Sequence, residues 1–268
     1  MAIEVLSPVV IVGAALLFIL LERITPYDRS QHVLREGFWT DLIWYTLIQS
    51  YVLALAISAI IRWIDSGTGL SRLHLVSGWP LWGQLGFFFV THDLYIYFFH
   101  RLQHRSALLW RIHEAHHSVR EVDWLAGSRS HAIEILINQT IEFLPMTLLG
   151  AGPELPVIKG MVDAVWGMFI HSNLDVRLGG AGVIINGPEL HRWHHAREIR
   201  EGGINFGTKL AVWDYLFGTV VIPPRKPSGY GLTTTFPGGY FSQTVYAFRP
   251  FSRTAPEETP GERGVSRA

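Results

Sequence analysis

The sequence predicts an all-α integral membrane protein: about four transmembrane helices or a helical hairpin equivalent, with a helical cap on the cytoplasmic side. Three observations predict this. Of 268 residues, 49% are hydrophobic and only 16% charged, with a mean hydropathy of +0.22, which is too apolar for an ordinary soluble domain. Five long apolar segments succeed one another before residue 171. Histidines recur at helical spacing where two of those segments end.

Composition also removes function classes. Lysine plus arginine equals aspartate plus glutamate at 22 each, so no basic surplus recommends a nucleic-acid partner. With no cysteine, disulfides, thiolate metal sites, iron–sulfur clusters and cysteine nucleophiles are all excluded. Thirteen histidines and ten tryptophans then stand out, the first as metal ligands and the second as rings suited to a membrane interface.

A helix rises about 1.5 Å per residue, so about 20 residues cross the hydrocarbon core. The first segment, 7–21, has Glu4 and no basic residue ahead of it and no small-x-small cleavage site after it, so it is expected to be a retained anchor. The second, 38–64, is long enough to span. The third, 81–100, runs into the histidines. The fourth and fifth, 133–150 and 155–170, are shorter and carry Glu134, Asn138, Gln139, Glu142, Lys159 and Asp163. A hairpin partly inserted in the bilayer, or packed on the other helices, suits them better than two lipid-facing spans. With the N-terminus outside, Arg23, Arg29, Arg35, Arg101, Arg105, Arg111, Arg120 and Arg129 fall on the cytoplasmic side, as the positive-inside rule favours. Every dense histidine cluster then faces the cytoplasm.

The chain divides into N-terminal transmembrane helices (1–80), a histidine-rich core (81–222) and a loop-rich C-terminal segment (223–268). Gly and Pro break the region after 170 into short elements, and residues 254–268 have the composition of a disordered tail.

The chemistry lies in three patterns. His100 and His104 are four apart and share a helical face. His113, His116 and His117, at i, i+3 and i+4, form an HxxHH pattern that is again expected on one face, and His191, His194 and His195 repeat that geometry. His171 stands at the cytoplasmic end of the fifth segment. A single histidine is ordinarily a hydrogen-bonded structural residue. Eight in three matching boxes are another matter, because that many imidazoles are costly to cluster without a metal. Eight or nine nitrogen ligands exceed one ion's usual four to six, so two ions are implied and the cap carries a dinuclear histidine site. Imidazole ligation suits zinc, iron, copper or nickel and argues against calcium and magnesium. Neutral imidazoles leave the metal charge uncompensated, so carboxylates are expected nearby. By position these are Asp93, on the face of His100 and His104, with Glu114 and Asp175; they could orient the imidazoles. His32 and His74 lie outside every box and take the structural reading.

The letters HEAHH also satisfy the HExxH pattern of zinc hydrolases, with His113 and His117 as ligands and Glu114 as base. That reading leaves His116 idle and the other boxes unexplained. A non-catalytic membrane metal-binding protein is the remaining alternative.

The stretches HDLYIYFFHRLQHRSALLWRIHEAHHS, FIHSNLD and GPELHRWHH followed by NFGTKLAVWDYLFGT resemble the fatty acid hydroxylase/sterol desaturase superfamily of integral-membrane di-iron oxygenases, over residues 92–220. The resemblance implies two iron ions, for which zinc can substitute in purified protein. Their ligands would be the eight box histidines, which carry the catalysis, with His171 as the ninth. His92 and His131 fall at histidine positions common in part of that superfamily, which implies accessory roles around the ligands. It also implies a lipid drawn from the bilayer, hydroxylation or desaturation with dioxygen, and a separate electron-transfer protein of ferredoxin or cytochrome type, since no haem domain is fused here.

Overall fold

The structure is a computed structural model that describes residues 3–198 and 203–250. Among these residues it is all-helical, without a β-strand. Helix α1 covers Ile3–Ile24. A π-helical stretch, Thr40–Gln49, runs without a break into α2, Ser50–Thr68. Two helices are long and apolar enough to cross a membrane, Val5–Ile24 and Thr40–Thr68. Only 11% and 17% of their apolar windows are buried within the protein. A core helix of a soluble domain would be mostly covered, so these exposed apolar surfaces suit lipid. Helices α3 (Leu81–Arg105), α5 (Ala132–Leu148) and α6 (Glu154–His171) carry more polar residues and pack against one another.

The wide turn of the π-helical stretch has a local purpose. Asp41, Tyr45 and Gln49, four apart, all face inward and are buried. Asp41 pairs with Arg35 (2.8 Å) and Arg129 (2.7 Å), while Arg35 reaches Asp123 (2.9 Å). Tyr45 donates to Gln243 Oε1, and Gln49 to Ser130 O. The start of the second long helix is thereby tied to the loop after the second histidine box.

At the other end of the molecule, Val76, Phe88, Met146 and Leu155 form an apolar cluster between α3, α5 and α6. The histidines sit at the opposite, C-terminal end of α3 and α6. Glu22, at the C-terminal end of α1, accepts from the backbone N–H of Trp124 and of Asn173 (both 2.8 Å). The end of α1, the start of the second long helix and all three boxes therefore lie on one side.

The single residue Ser106 separates α3 from α4 (Ala107–His117). Its backbone is extended and its Oγ accepts from Leu109 N–H at 3.4 Å, the usual means of starting a helix. The reversal folds α4 back beside the end of α3. The third box lies on the short α7, Pro188–His194, with proline at its first position. Two further short helices are α8, Val212–Leu216, and α9, Tyr240–Tyr246. The latter is a helix inside the segment that the sequence reads as loop-rich. The tail at 254–268 lies outside the described residues.

Candidate metal centre

Nine imidazoles meet at the end of this bundle, and they meet as two sets. His100, His104, His113, His117 and His194 form one; His116, His171, His191 and His195 form the other. Within each set one ligand atom per residue lies within 4.8 Å of every other. The two HxxHH boxes are each divided between the sets. Residues four apart on a helix nearly share a face, whereas neighbours are about 100° apart. His113 and His117 therefore point to the first set and His116 to the second. On α7 and the residue that caps it, His191 and His195 join the second set and His194 the first. The spacing predicts each HxxHH box on a single face; in the folded chain these two boxes straddle both sets, whereas His100 and His104 stay together in the first.

Five of the nine rings are anchored through their Nδ1 atoms. His100 Nδ1 donates to Phe206 O (2.9 Å), His116 to Arg129 O (3.1 Å), His171 to Gly167 O (2.8 Å) and His194 to Ile204 O (2.7 Å). His113 Nδ1 donates to Glu134 Oε1 at 2.9 Å. A proton on Nδ1 leaves a lone pair on Nε2, and it is the Nε2 atoms that converge. Their separations are 3.1 Å for His100–His113, 3.2 Å for His113–His117 and 3.1 Å for His117–His194. In the second set they are 3.3 Å for His116–His171, 2.8 Å for His171–His191 and 3.1 Å for His191–His195.

Lone pairs facing one another at these distances, in a buried site, repel. A cation removes the conflict. Metal–nitrogen bonds of about 2.0–2.1 Å put adjacent ligand nitrogens roughly 2.9 Å apart in octahedral and 3.4 Å apart in tetrahedral coordination, the spacing seen here. His104 Nε2 is buried with no hydrogen-bond partner among the described residues, a further atom free to act as a ligand. Burial first, and neighbouring imidazoles second, hold His116, His117, His191, His194 and His195 well below their ordinary titration range. They are neutral and free to bind metal at pH 7. The residues present fit two metal ions.

The other candidates sit elsewhere. The Asp93 carboxylate accepts from Thr208 Oγ1, the N–H groups of Lys209 and Leu210, and Trp213 Nε1, all at 2.8–3.0 Å. Asp214 accepts from Phe206 N–H (2.8 Å) and Gly207 N–H (2.7 Å). Together they clamp the loop that offers the carbonyls of Phe206 and Ile204 to His100 and His194, so Asp93 bears on the imidazoles through that loop. The Glu114 carboxylate is held by Arg249 Nη2 at 2.8 and 3.1 Å. Asp175 is exposed, and its backbone N–H donates to Thr25 O. His92 lies 3.2 Å from Lys159 Nζ. His131 caps α5, accepting from Ile133 N–H at 3.2 Å. His32 pairs with Glu121, and His74 ends a turn in the left-handed region.

Sequence reasoning did not single out Glu134, which bonds both His113 and Gln103 Nε2 (2.9 Å). Its signal was present: a carboxylate in a largely apolar segment.

A family model described as fatty acid hydroxylase matches residues 85–219, the part of the chain that contains all nine imidazoles. The chain is 33% identical over 265 residues to the ornithine lipid hydroxylase OlsE of Rhizobium tropici, covering 95% of this chain and 78% of that one. The chain belongs to the fatty acid hydroxylase family. Membership in the fatty acid hydroxylase family makes it an oxidoreductase acting on lipids. It is also similar to the alkylglycerol monooxygenases of Xenopus tropicalis (29% over 157 residues, 59% of this chain) and Homo sapiens (29% over 145 residues, 54% of this chain). Against these two the match spans only about a third of the relative, 34% and 32%. No solved structure matches.

Proposed function

We propose that this protein is a membrane-bound di-iron oxygenase that hydroxylates a lipid, using dioxygen and electrons from a separate carrier of ferredoxin or cytochrome type. The observation that carries the reading is the pair of imidazole sets, each with its Nε2 atoms turned inward. His100, His104, His113, His117 and His194 would hold one ion; His116, His171, His191 and His195 would hold the other. When bound, such a metal pair supplies the oxidant that an unactivated C–H bond requires, which protein acids and bases cannot. The chain's own part is to fix ligand direction through the Nδ1 anchors and to hold a substrate carbon close to the site.

Hydroxylation is favoured over desaturation because the relatives are named hydroxylase and monooxygenase. The first of these names makes an ornithine-type aminolipid the first substrate to offer. Iron over zinc follows from the family. The membrane placement extends the two long apolar helices to α3 and the α5–α6 hairpin, giving about four spans or their equivalent. The positive-inside rule then puts the metal centre in the cytoplasm, on the side of Arg23, Arg29 and Arg35. A zinc hydrolase built on HEAHH draws less support, because Glu114 is engaged by Arg249 and His116 belongs to the other set from His113 and His117.

The test combines metal analysis with isotope tracing. Purified protein is expected to hold two metal ions per chain, and product oxygen to derive from labelled dioxygen. His116→Ala is expected to abolish turnover. Label arriving only from water, or activity surviving in that variant, would overturn the oxygenase assignment.

A further inference from the structure

No charged residue occurs between Lys226 and Arg249, and within that stretch lies α9, whose two sides differ. On one side Gln243 is buried, accepting from the Tyr45 hydroxyl and donating to Pro237 O, both at 2.7 Å. On the other, Phe241, Val245 and Phe248, at i, i+4 and i+7, are 63%, 68% and 66% exposed. The Ser242 hydroxyl beside them is bonded to Gly239 O (2.8 Å). We propose that α9 is an interfacial helix: its apolar side lies in the head-group boundary of the bilayer on the side of the histidines, and its polar side ties that seat to the helix carrying the second histidine box. The inference rests on Thr40–Thr68 crossing the membrane and is independent of the reaction catalysed.

The occupant follows from what α9 packs against. The Trp44 ring, on the long apolar helix Thr40–Thr68, stacks on Tyr240 with centroids 5.6 Å apart and meets Phe241 edge-on at 4.8 Å. Leu47 and Ile48, three and four residues on from Trp44, are exposed as well, so the apolar side of α9 continues the surface that the long helix offers to lipid. Length sets the depth. The 29 residues of that helix rise about 43 Å, against about 30 Å of hydrocarbon and about 40–45 Å with the head groups included. Centred in the bilayer, the helix passes the hydrocarbon by about 6 Å, or roughly four residues, at each end. Trp44 then sits at the boundary, where tryptophan is favoured, and α9 lies beside it. A protein partner fits this face less well. Its three side chains expose roughly 400 Å², short of the roughly 800 Å² per partner of a stable protein interface, and head groups would stand in the way.

Backbone groups at a bilayer boundary need partners, carbonyls at a helix end above all. Here Arg111 of α4 donates to the carbonyls of Arg249 and Pro250. The Arg249 guanidinium in turn holds Glu114 at 2.8 Å and lies 3.8 Å from the centre of the Tyr246 ring. Thr244 O accepts from His131 Nε2 at 3.1 Å, which joins α9 to the start of α5. Tyr240 donates to Gln49 Oε1 at 2.9 Å. The lipid-facing helix is thereby bonded at once to the π-helical stretch, to α4 beside His113 and to α5.

Because the chain has no cysteine, Phe241→Cys and Val245→Cys can each carry one environment-sensitive fluorophore on the full-chain holoenzyme, in liposomes of phosphatidylcholine and phosphatidylglycerol. Leu55→Cys, near the middle of the long helix and 55% exposed, reports the span, and Ser228→Cys, in an exposed loop, reports water. An interfacial helix lies only about 5–10 Å deep, so lipids brominated near the head-group end of the acyl chain should quench positions 241 and 245 about twofold or more. Lipids brominated near the chain terminus should quench them weakly, and aqueous iodide far less than it quenches position 228. Iodide quenching equal to that at 228 would place α9 in water and overturn the proposal. Protection from iodide without quenching by either lipid would mean that protein covers the face, a second copy of the chain included, and would overturn it too. Strongest quenching by the chain-terminal bromines would make α9 an inserted element and refute the interfacial seat. Quenching by lipid at 55 but not at 241 and 245 would sink this proposal alone, whereas no lipid quenching at 55 would sink the membrane span and the proposal together.

Discussion

Replacing Glu134 by Gln probes the metal centre most sharply, because the two imidazole sets predict an asymmetric result. Glu134 Oε1 accepts from His113 Nδ1 at 2.9 Å and from Gln103 Nε2 at 2.9 Å, and its side chain is buried. The amide preserves shape and one acceptor but removes the negative charge that raises the basicity of the His113 ring. Loss of such an outer partner costs 10–100-fold in metal affinity, or about 1.4–2.8 kcal/mol. His113 belongs only to the set with His100, His104, His117 and His194. One ion should therefore weaken by that factor and the other should not. Chelator competition followed by metal analysis reads this as a curve with two separated steps in the variant. Equal weakening of both ions would refute the division into two sets, and no weakening would refute the role of Glu134.

Gly127→Ala is the mirror experiment. A Cβ there would lie 2.6 Å from His171 Nδ1, displacing a ring of the second set, so that ion should weaken at least tenfold while the first is retained. Arg35→Met removes the cation between Asp41 and Asp123 and leaves Asp123 buried without it, an expected loss of about 3–5 kcal/mol, measurable as a lowered Tm in detergent. Leu17→Arg places a charge on the exposed face of α1, where Leu17 is 52% accessible. Membrane insertion should fall by an equivalent of about 2.5–3.5 kcal/mol, and normal insertion would argue against α1 as a span. Because the chain has no cysteine, single cysteines report topology directly. Ser228→Cys should react with an impermeant thiol reagent only from the cytoplasm, and Ser77→Cys only from the opposite side.

Much of this protein is legible as text. The apolar run lengths mark both long helices, since burial of the backbone in lipid demands about 20 apolar residues in a row. Histidine identity and spacing nominate eight of the imidazoles that converge, because residues four apart on a helix share a face; His171, the ninth, is nominated by its place at the end of an apolar segment and by the family resemblance. What spacing cannot state is which face meets which partner. Whether His116 joins His117 or His171 depends on how the end of α4 meets the end of α6, a matter of packing between segments distant in sequence. The anchors are equally silent: Phe206, Arg129, Gly167 and Ile204 act through carbonyl oxygens that every residue has, so no letter distinguishes them. Asp93 illustrates the limit. Its place on the face of His100 is readable from the helix, but its work on the loop after residue 203 exists only once that loop folds back along α3. Sequence thus determined which groups could bind metal and where the chain is apolar enough for lipid. Only the tertiary structure decided how those groups divide into two sets and what holds each ring in place, because both depend on contacts that local periodicity does not encode.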